Sequence, residues 1–233
     1  MAENVLAFDK KEKVLAPKDK VENFMLRNRK PLLALIATLV VAAIAVCVCF
    51  GVRDASRRKG IAAVDAVEYA YTKNLSTLSD EEKTARQDAA LDGLKPYLSK
   101  GGIVGIRAAM LAADVYAAKK DFANSLTQCL AVAQKGEKTY LSPVYYYRAA
   151  VCSEELGNIE DAAKYYETAA NKPDFYVASH ALFNLGRLKE TSGDYKAAGE
   201  VYQKIIDDYS GDDFAKLAHS RLIALKSENK IEQ

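Results

Sequence analysis

The sequence holds no Trp and only two His in 233 residues. His180 and His219 fall on different predicted helices, which leaves no material for a histidine proton relay or a histidine-rich metal cluster. G-x-S-x-G, P-loop, H-E-x-x-H and glycine-rich dinucleotide motifs are all missing. The four Cys show no metal-ligand spacing. On these grounds the chain is expected to be a non-enzyme with no metal and no cofactor. An excess of one charge is lacking as well. Residues 53–233 carry 25 Lys/Arg against 26 Asp/Glu, and a nearly neutral body without a dense basic stripe gives no electrostatic basis for nucleic-acid binding. Gly and Pro are few, at 12 and 5, while half of the residues are hydrophobic and 14 are Tyr. That balance suits packed helices rather than disorder or a β-rich fold.

What is present, first, is a long apolar run. Residues 32–52 contain no charge, and as a helix rising about 1.5 Å per residue they span roughly 30 Å, the depth of a bilayer's hydrocarbon core. The run is apolar all round, whereas a core helix would show a polar face. A cleaved signal peptide is the competing reading, but the run is too long for an ordinary h-region and no A-x-A-like site follows Val52. A lipoprotein signal needs a small residue before the modified Cys, and Val46 and Val48 precede Cys47 and Cys49. Those two Cys read as small lipid-facing hydrophobes. Ahead of the run, residues 1–30 carry eight Lys/Arg against five Asp/Glu, with a short amphipathic helix at about residues 21–25 ending in Arg27-Asn28-Arg29-Lys30. Arg53, Arg57, Arg58 and Lys59 flank the far side almost as heavily. The basic N-terminal segment is therefore set in the cytoplasm on a narrow margin, with the C-terminal body outside.

The second feature is a helix hairpin over residues 184–202. Two helical patterns flank Gly193-Asp194-Tyr195. Gly186 and Ala198 are small where antiparallel helices cross closely, and Leu185, Tyr195 and Tyr202 fill the seam. One hairpin cannot bury its own apolar faces, so its neighbours should repeat it. Similar turns stand at Gly157-Asn158-Ile159, followed by Ala162, Tyr166 and Ala169, and at Lys120-Asp121-Phe122, followed by Ser125, Cys129 and Val132. The turns are 36 and 37 residues apart. This pattern resembles the tetratricopeptide repeat, a helix-turn-helix unit of about 34 residues, with Tyr116, Tyr146 and Leu185-Gly186 on its first-helix positions. The fold expected is all-α: a single N-terminal transmembrane helix followed by a tetratricopeptide-repeat α-solenoid. Unrelated amphipathic helices in a bundle are the competing arrangement.

The repeat helices are expected at about residues 103–118, 122–134, 142–156, 159–170, 175–191 and 195–209, with Pro143 and Pro173 at or near helix starts. Before them, Ile61, Val64, Val67, Tyr71 and Leu75 recur at helical spacing. Ser79 and Glu82 form a capping box that opens a helix reaching about Leu98. This divergent hairpin is closed by Gly101-Gly102. Residues 213–226 repeat a first helix, with Leu222 in phase and Ile223 in place of the small residue. They should cap the array, with 226–233 a frayed tail.

Stacked units of this kind present a concave surface built from their first helices. The register places Arg107, Met110, Leu111 and Asp114, then Val144, Tyr147, Arg148 and Val151, then His180, Phe183, Asn184 and Arg187 on it. The result is an apolar groove with scattered charge, suited to extended or helical peptide segments. Alternatively, Tyr147 and Phe183 pack against their own array. Some such proteins clamp a C-terminal carboxylate with Lys and Asn; only Asn184 matches, and Met110, Asp114 and Arg148 depart. Cys129 and Cys152 fall on neighbouring helices. In an oxidising compartment they could bond, and two buried free thiols is the reading preferred.

The order of parts resembles the YfgM-like family of bacterial ancillary SecYEG translocon subunits. The resemblance rests on Val21, Phe24 and Asn28 before the apolar run, on the helix beginning soon after it, and on residues 94–133, where Gly101-Gly102 leads into AAMLAADVYAAKKDFANSL. It implies a cytoplasmic segment over 1–30, a transmembrane helix over 31–52, a juxtamembrane helix and divergent hairpin over 53–100, three tetratricopeptide repeats over 101–211, and a capping helix and tail over 212–233. It further implies a single-pass bacterial inner-membrane protein whose periplasmic repeat domain meets translocon subunits, exported or unfolded chains and periplasmic chaperones. Two other functions stand beside it. One is a self-assembling envelope scaffold, a homo-oligomer whose groove holds another copy; the other is a cytosol-facing receptor for precursor proteins.

Overall fold

The computed structural model describes residues 17–232, which divide after Ser56 into two units. The first unit holds α1 (Pro17–Arg27) and the opening part of α2 (Arg29–Thr72). Pro17 begins α1, where its missing N–H is no loss, so the short helix expected at residues 21–25 is longer than its apolar pattern. The rest of the expected N-terminal segment, residues 1–16, lies outside the described residues. Leu33, Ile36, Val40, Ile44 and Val48 are all exposed, and α2 is long and apolar enough to cross a membrane by its length and composition. The apolar run and the helix expected from residue 56 belong to this one helix, because neither Gly nor Pro stands between them to end it.

The second unit starts at Arg57 with the rest of α2 and a short 3-10 turn, Leu75–Thr77. It continues through α3 (Asp80–Leu98), α4 (Gly102–Ala118), α5 (Phe122–Lys135), α6 (Leu141–Glu155), α7 (Ile159–Ala170), α8 (Ala178–Thr191), α9 (Tyr195–Asp208) and α10 (Asp213–Ser227), with no strand among the described residues. From α3 onward each helix packs on the next in sequence, and α10 also reaches α8. That is the nearest-neighbour order of an α-solenoid. Val64 and Tyr71 of α2, Leu94 of α3 and Val104, Ala108 and Val115 of α4 form the core of the leading hairpin.

Local chemistry sets the ends of these helices. Ser79 Oγ accepts from the Glu82 N–H at 3.3 Å and Glu82 Oε2 accepts from the Ser79 N–H at 2.9 Å, a reciprocal cap on α3. Asp121 and Asp194 cap α5 and α9 by accepting from Asn124 and Ala197 N–H groups. The turn inside each hairpin closes on a residue with positive φ: Lys120 at 59°, Gly157 at 75° and Gly193 at 81°, the left-handed position that ends many helices.

Asn229, at φ 56°, repeats this turn 36 residues after Gly193. Ile231 then stands where Phe122, Ile159 and Tyr195 open the second helices, and it packs against Gly199. Lys230 lies over the Tyr195 ring, 4.6 Å from its centroid. The tail expected to fray is folded back, held by those two contacts on α9. Counted from Asn229, Leu222 holds the small-residue position, while Ile223 is 54 % exposed, which corrects the register expected for α10. The start of α8 is also later than expected. Asp174 adopts φ 56°, so Pro173 lies in a turn and Phe175 inserts into the core from a loop.

The seams repeat. Seven residues before each turn residue stand Ala113, Ala150 and Gly186, and the eighth residue of each second helix is Cys129, Tyr166 or Tyr202; all six are buried. A Cβ built on Gly186 would lie 2.5 Å from Tyr202 Cε1, and the Tyr202 ring is fully enclosed. Gly186→Ala is therefore expected to destabilise the chain by about 1–3 kcal/mol through overpacking, even though Ala is the better helix former. Urea unfolding measures it, and an unchanged or raised midpoint would remove this account of the seam.

Candidate protein-binding face

The first helices of successive units lie side by side, joined by a ladder of ion pairs. Arg107 on α4 pairs with Asp65 and Glu68 on α2, at 2.7 and 3.3 Å. Arg148 on α6 pairs with Asp114 on α4, and Arg187 on α8 with Glu154 on α6 at 2.5 Å. Arg221 on α10 forks onto Glu190 on α8, its Nε donating at 3.1 Å. Every Arg reaches back by one unit. Such partly exposed pairs contribute about 0–1 kcal/mol each, so they set register more than they supply stability.

Two rungs are more buried than the others. Tyr166 donates its hydroxyl to Glu154 at 2.6 Å, and the Tyr202 hydroxyl lies beside Glu190 at the equivalent place. Burial, reinforced by the carboxylate, raises both tyrosines' pKa. Burial also pushes Glu190 upward, but hydrogen bonds from Arg221 and Tyr202 outweigh it and hold the carboxyl below its usual range. Counting the hairpins α4–α5, α6–α7 and α8–α9 as the first, second and third repeat units, the joint between the first and second is built differently. Cys129 stands at the Tyr position and Ala117 at the Glu position. Arg148 there donates to the Tyr145 hydroxyl at 3.1 Å as well as to Asp114. Burial is the main reason that Tyr145 is pushed up to about 12.

Between the rungs sits an aromatic cluster. The Tyr147 hydroxyl accepts from Asn184 Nδ2 at 3.1 Å and lies 3.2 Å from the His180 ring nitrogens. Its ring meets Tyr166 edge-on at 5.3 Å. His180 stacks on Phe214 at 4.3 Å, and Phe183 lies 5.7 Å from Tyr202 and 5.6 Å from Phe214. Tyr147, His180, Phe183 and Asn184 all keep part of their surface exposed. Burial lowers the His180 pKa against the opposing charge of Asp212. Asp212 caps α10 by accepting from the Phe214 N–H, and also accepts from Ser179 Oγ at 2.7 Å.

The structure thus brings Tyr147, His180, Phe183 and Asn184 together, with Arg107, Asp114, Arg148 and Arg187 engaged in the ladder. Val151 stays 37 % exposed. Met110 and Val144 are half-buried against the core between α4, α5 and α6. Leu111 is a correction: it is 7 % exposed and packs with Val64, Leu94 and Val104, so it is core and not face. Sequence reading missed Glu154, Glu190, Arg221 and Phe214. The 36-residue recurrence of Glu154 with Glu190, in step with Tyr166 and Tyr202, was the available signal.

Cys129 and Cys152 are free and buried. Cys152 Sγ donates to Ser125 Oγ at 3.4 Å, and Ser125 donates to the Ala113 carbonyl at 3.0 Å. The neighbouring Cys152 thiol, with burial, holds the Cys129 pKa up, and Cys129 in turn draws Cys152 down. Among the described residues no group of three or more His, Cys, Asp or Glu is placed to hold a metal ion.

Tetratricopeptide-repeat family profiles match residues 143–171 and 180–212, which are the hairpins α6–α7 and α8–α9. The chain carries tetratricopeptide repeats. A TPR repeat-containing protein of Treponema pallidum (strain Nichols) is 31% identical over 144 residues, 60% of each chain. Response regulator aspartate phosphatase J of Bacillus subtilis (strain 168) is 31% identical over 94 residues, 39% of this chain and 25% of that protein. The chain therefore spans less than two thirds of either relative. Among solved structures, a Rap protein complexed with competence and sporulation factor is similar at 20% identity, with 72% of this chain and 55% of that one covered and a TM-score of 0.45. The apo form of RapI is similar at 17% identity, with 73% and 61% covered and a TM-score of 0.45. Tetratricopeptide arrays are protein-interaction modules, with extended surfaces made by their stacked units.

Two outcomes are expected of this face. Tyr166→Phe keeps the ring but removes the donor to a carboxylate, and should lower unfolding free energy by about 1.5–3 kcal/mol; a loss no larger than that of Tyr165→Phe in the same urea assay would contradict it. His180 is held neutral in the fold, below its ordinary 6.5, so its stabilisation is present above that pH and is lost as pH falls below it. Protonation puts a charge on a partly buried ring, which burial disfavours. The stability gap between the parent chain and His180→Gln should therefore shrink from about pH 8 to about pH 5, and a gap that stays constant would show that His180 contributes by packing alone.

Proposed function

We propose that this protein is a membrane-tethered protein-binding module, ancillary to the Sec translocon, that takes hold of exported chains as they emerge. The observation that carries the binding reading is the continuous first-helix face, where part-exposed Tyr147, His180 and Phe183 sit between charged rungs. Aromatic rings supply large apolar area at low entropic loss, and the flanking polar groups give direction to a bound segment. The internal bonds of Tyr147, His180 and Asn184 hold these rings in fixed positions, so a guest meets a preformed surface.

The apolar run supports the tether. In this reading residues 31–52 cross the bacterial inner membrane, the N-terminus is cytoplasmic and the repeats are periplasmic, close to translocon subunits and periplasmic chaperones. Tethering raises the effective concentration of the face for a passing chain, so weak contacts suffice.

The test places a photocrosslinking residue at Val151, which is exposed on the face and has no structural bond to lose, in the full-length protein in bacterial cells. Protease access in the same membranes reads the topology. Adducts with translocon subunits or exported chains, from a domain on the export side, are expected, and Phe183→Ala should reduce their yield several-fold. Adducts with this protein alone would replace the proposal by a homo-oligomeric scaffold. A domain on the cytosolic side would replace it by a precursor receptor.

A further inference from the structure

The joints of the array are not equivalent, and the odd one holds two buried thiols. At the second and third units a tyrosine from the second helix and an arginine from the following unit converge on a glutamate: Tyr166 and Arg187 on Glu154, and Tyr202 and Arg221 on Glu190. The first unit has neither the tyrosine nor the glutamate. Cys129 occupies the eighth position of α5, where α7 and α9 have Tyr166 and Tyr202, and Ala117 occupies the Glu position. Facing Cys129 across the joint, on the first helix of the second unit, is Cys152, whose counterparts in the register are Val115 and Leu188. Two departures from the repeat therefore meet at one point, and both are thiols.

We propose that Cys129 and Cys152 are a reversible dithiol–disulfide pair that locks the joint between the first and second units in place of the Tyr–Glu–Arg arrangement used further along. Cys152 Sγ reaches α5 at Ser125 Oγ, 3.4 Å away, one helical turn from Cys129 on the same face, and α5 and α6 pack directly together. The oxidant is a small disulfide of the glutathione class. Cys152 is 5 % exposed and Cys129 fully enclosed, so Cys152 reacts first. Its thiolate attacks one sulfur of the oxidant, whose S–S bond breaks to release one thiol and leave a mixed disulfide on Cys152. Cys129 loses its proton and attacks Cys152 Sγ, expelling the second thiol. Two cysteine thiols are oxidised, one disulfide is reduced, and two protons pass to the departing thiolates. The Cys129 thiol, 4 residues along α5 from Ser125, thereby gains a covalent link between units.

This inference does not rest on the membrane reading, since the chemistry is a property of the repeats. The experiment uses the full chain in detergent micelles with Cys47→Ser and Cys49→Ser, so that only the pair responds. The protein is equilibrated in buffers of graded oxidised-to-reduced glutathione ratio, quenched with acid, unfolded, alkylated and mapped by mass spectrometry. Cys129 and Cys152 should lose alkylation together, with a linked peptide that dithiothreitol abolishes. Amide hydrogen exchange in α5 and α6 should slow at least several-fold in the oxidised form. Full alkylation of both residues at every ratio, or glutathione adducts without a linked peptide, would overturn the pairing. A linked peptide with unchanged exchange in α5 and α6 would overturn the role as a lock.

Discussion

The close approach of two antiparallel helices is the constraint on which this array depends. In the third unit the Tyr202 ring lies against Gly186, at a distance that leaves no room for a methyl group. That contact fixes how near α8 and α9 come, and so the length of turn that can join them. Ala150 with Tyr166 and Ala113 with Cys129 stand at the same place in the other units. A small residue opposite a larger one gives a dense seam with few voids. The repeat length follows, because each hairpin must present the same outer surface to the next.

The seam also decides where polar groups go. A tyrosine long enough to fill it carries its hydroxyl to the far edge of the first helix, where an unpaired buried donor would be costly. Glu154 and Glu190 answer that need, and their charge in turn draws an arginine from the following unit. The face available for binding is thus made from groups whose primary duty is to satisfy one another. Its rings are presented rigidly and its charges are largely compensated, which favours guests that contribute apolar surface over guests that contribute charge.

Most of the fold could be read from local pattern. The spacing of the turns at Lys120, Gly157 and Gly193, the capping box at Ser79 and Glu82, and the small residue at Gly186 each involve neighbours in sequence, and each was recovered at its position. Asn229 escaped notice because Asn is a common surface residue, and its left-handed backbone is visible only in three dimensions. Phe175 looked helical by composition, but the turn at Asp174 overrides propensity. On the face, Tyr147, His180 and Asn184 were placed together by register, whereas their mutual hydrogen bonds were not foreseeable from spacing. Arg221 and Glu190 lie 31 residues apart, and long flexible side chains choose partners by reach that no short motif encodes. Leu111 was misplaced because one step around a helix separates a face from a core.

The ladder has a direction. Arg107, Arg148, Arg187 and Arg221 each sit on a later helix and grip a carboxylate on an earlier one, and the buried glutamates are complete only when the following unit arrives. Synthesis on the ribosome delivers the units in that same order. A nascent array can therefore close one hairpin at a time, each newcomer neutralising the carboxylate left by its predecessor. Assembly in the reverse order would have each arginine arrive before its acid.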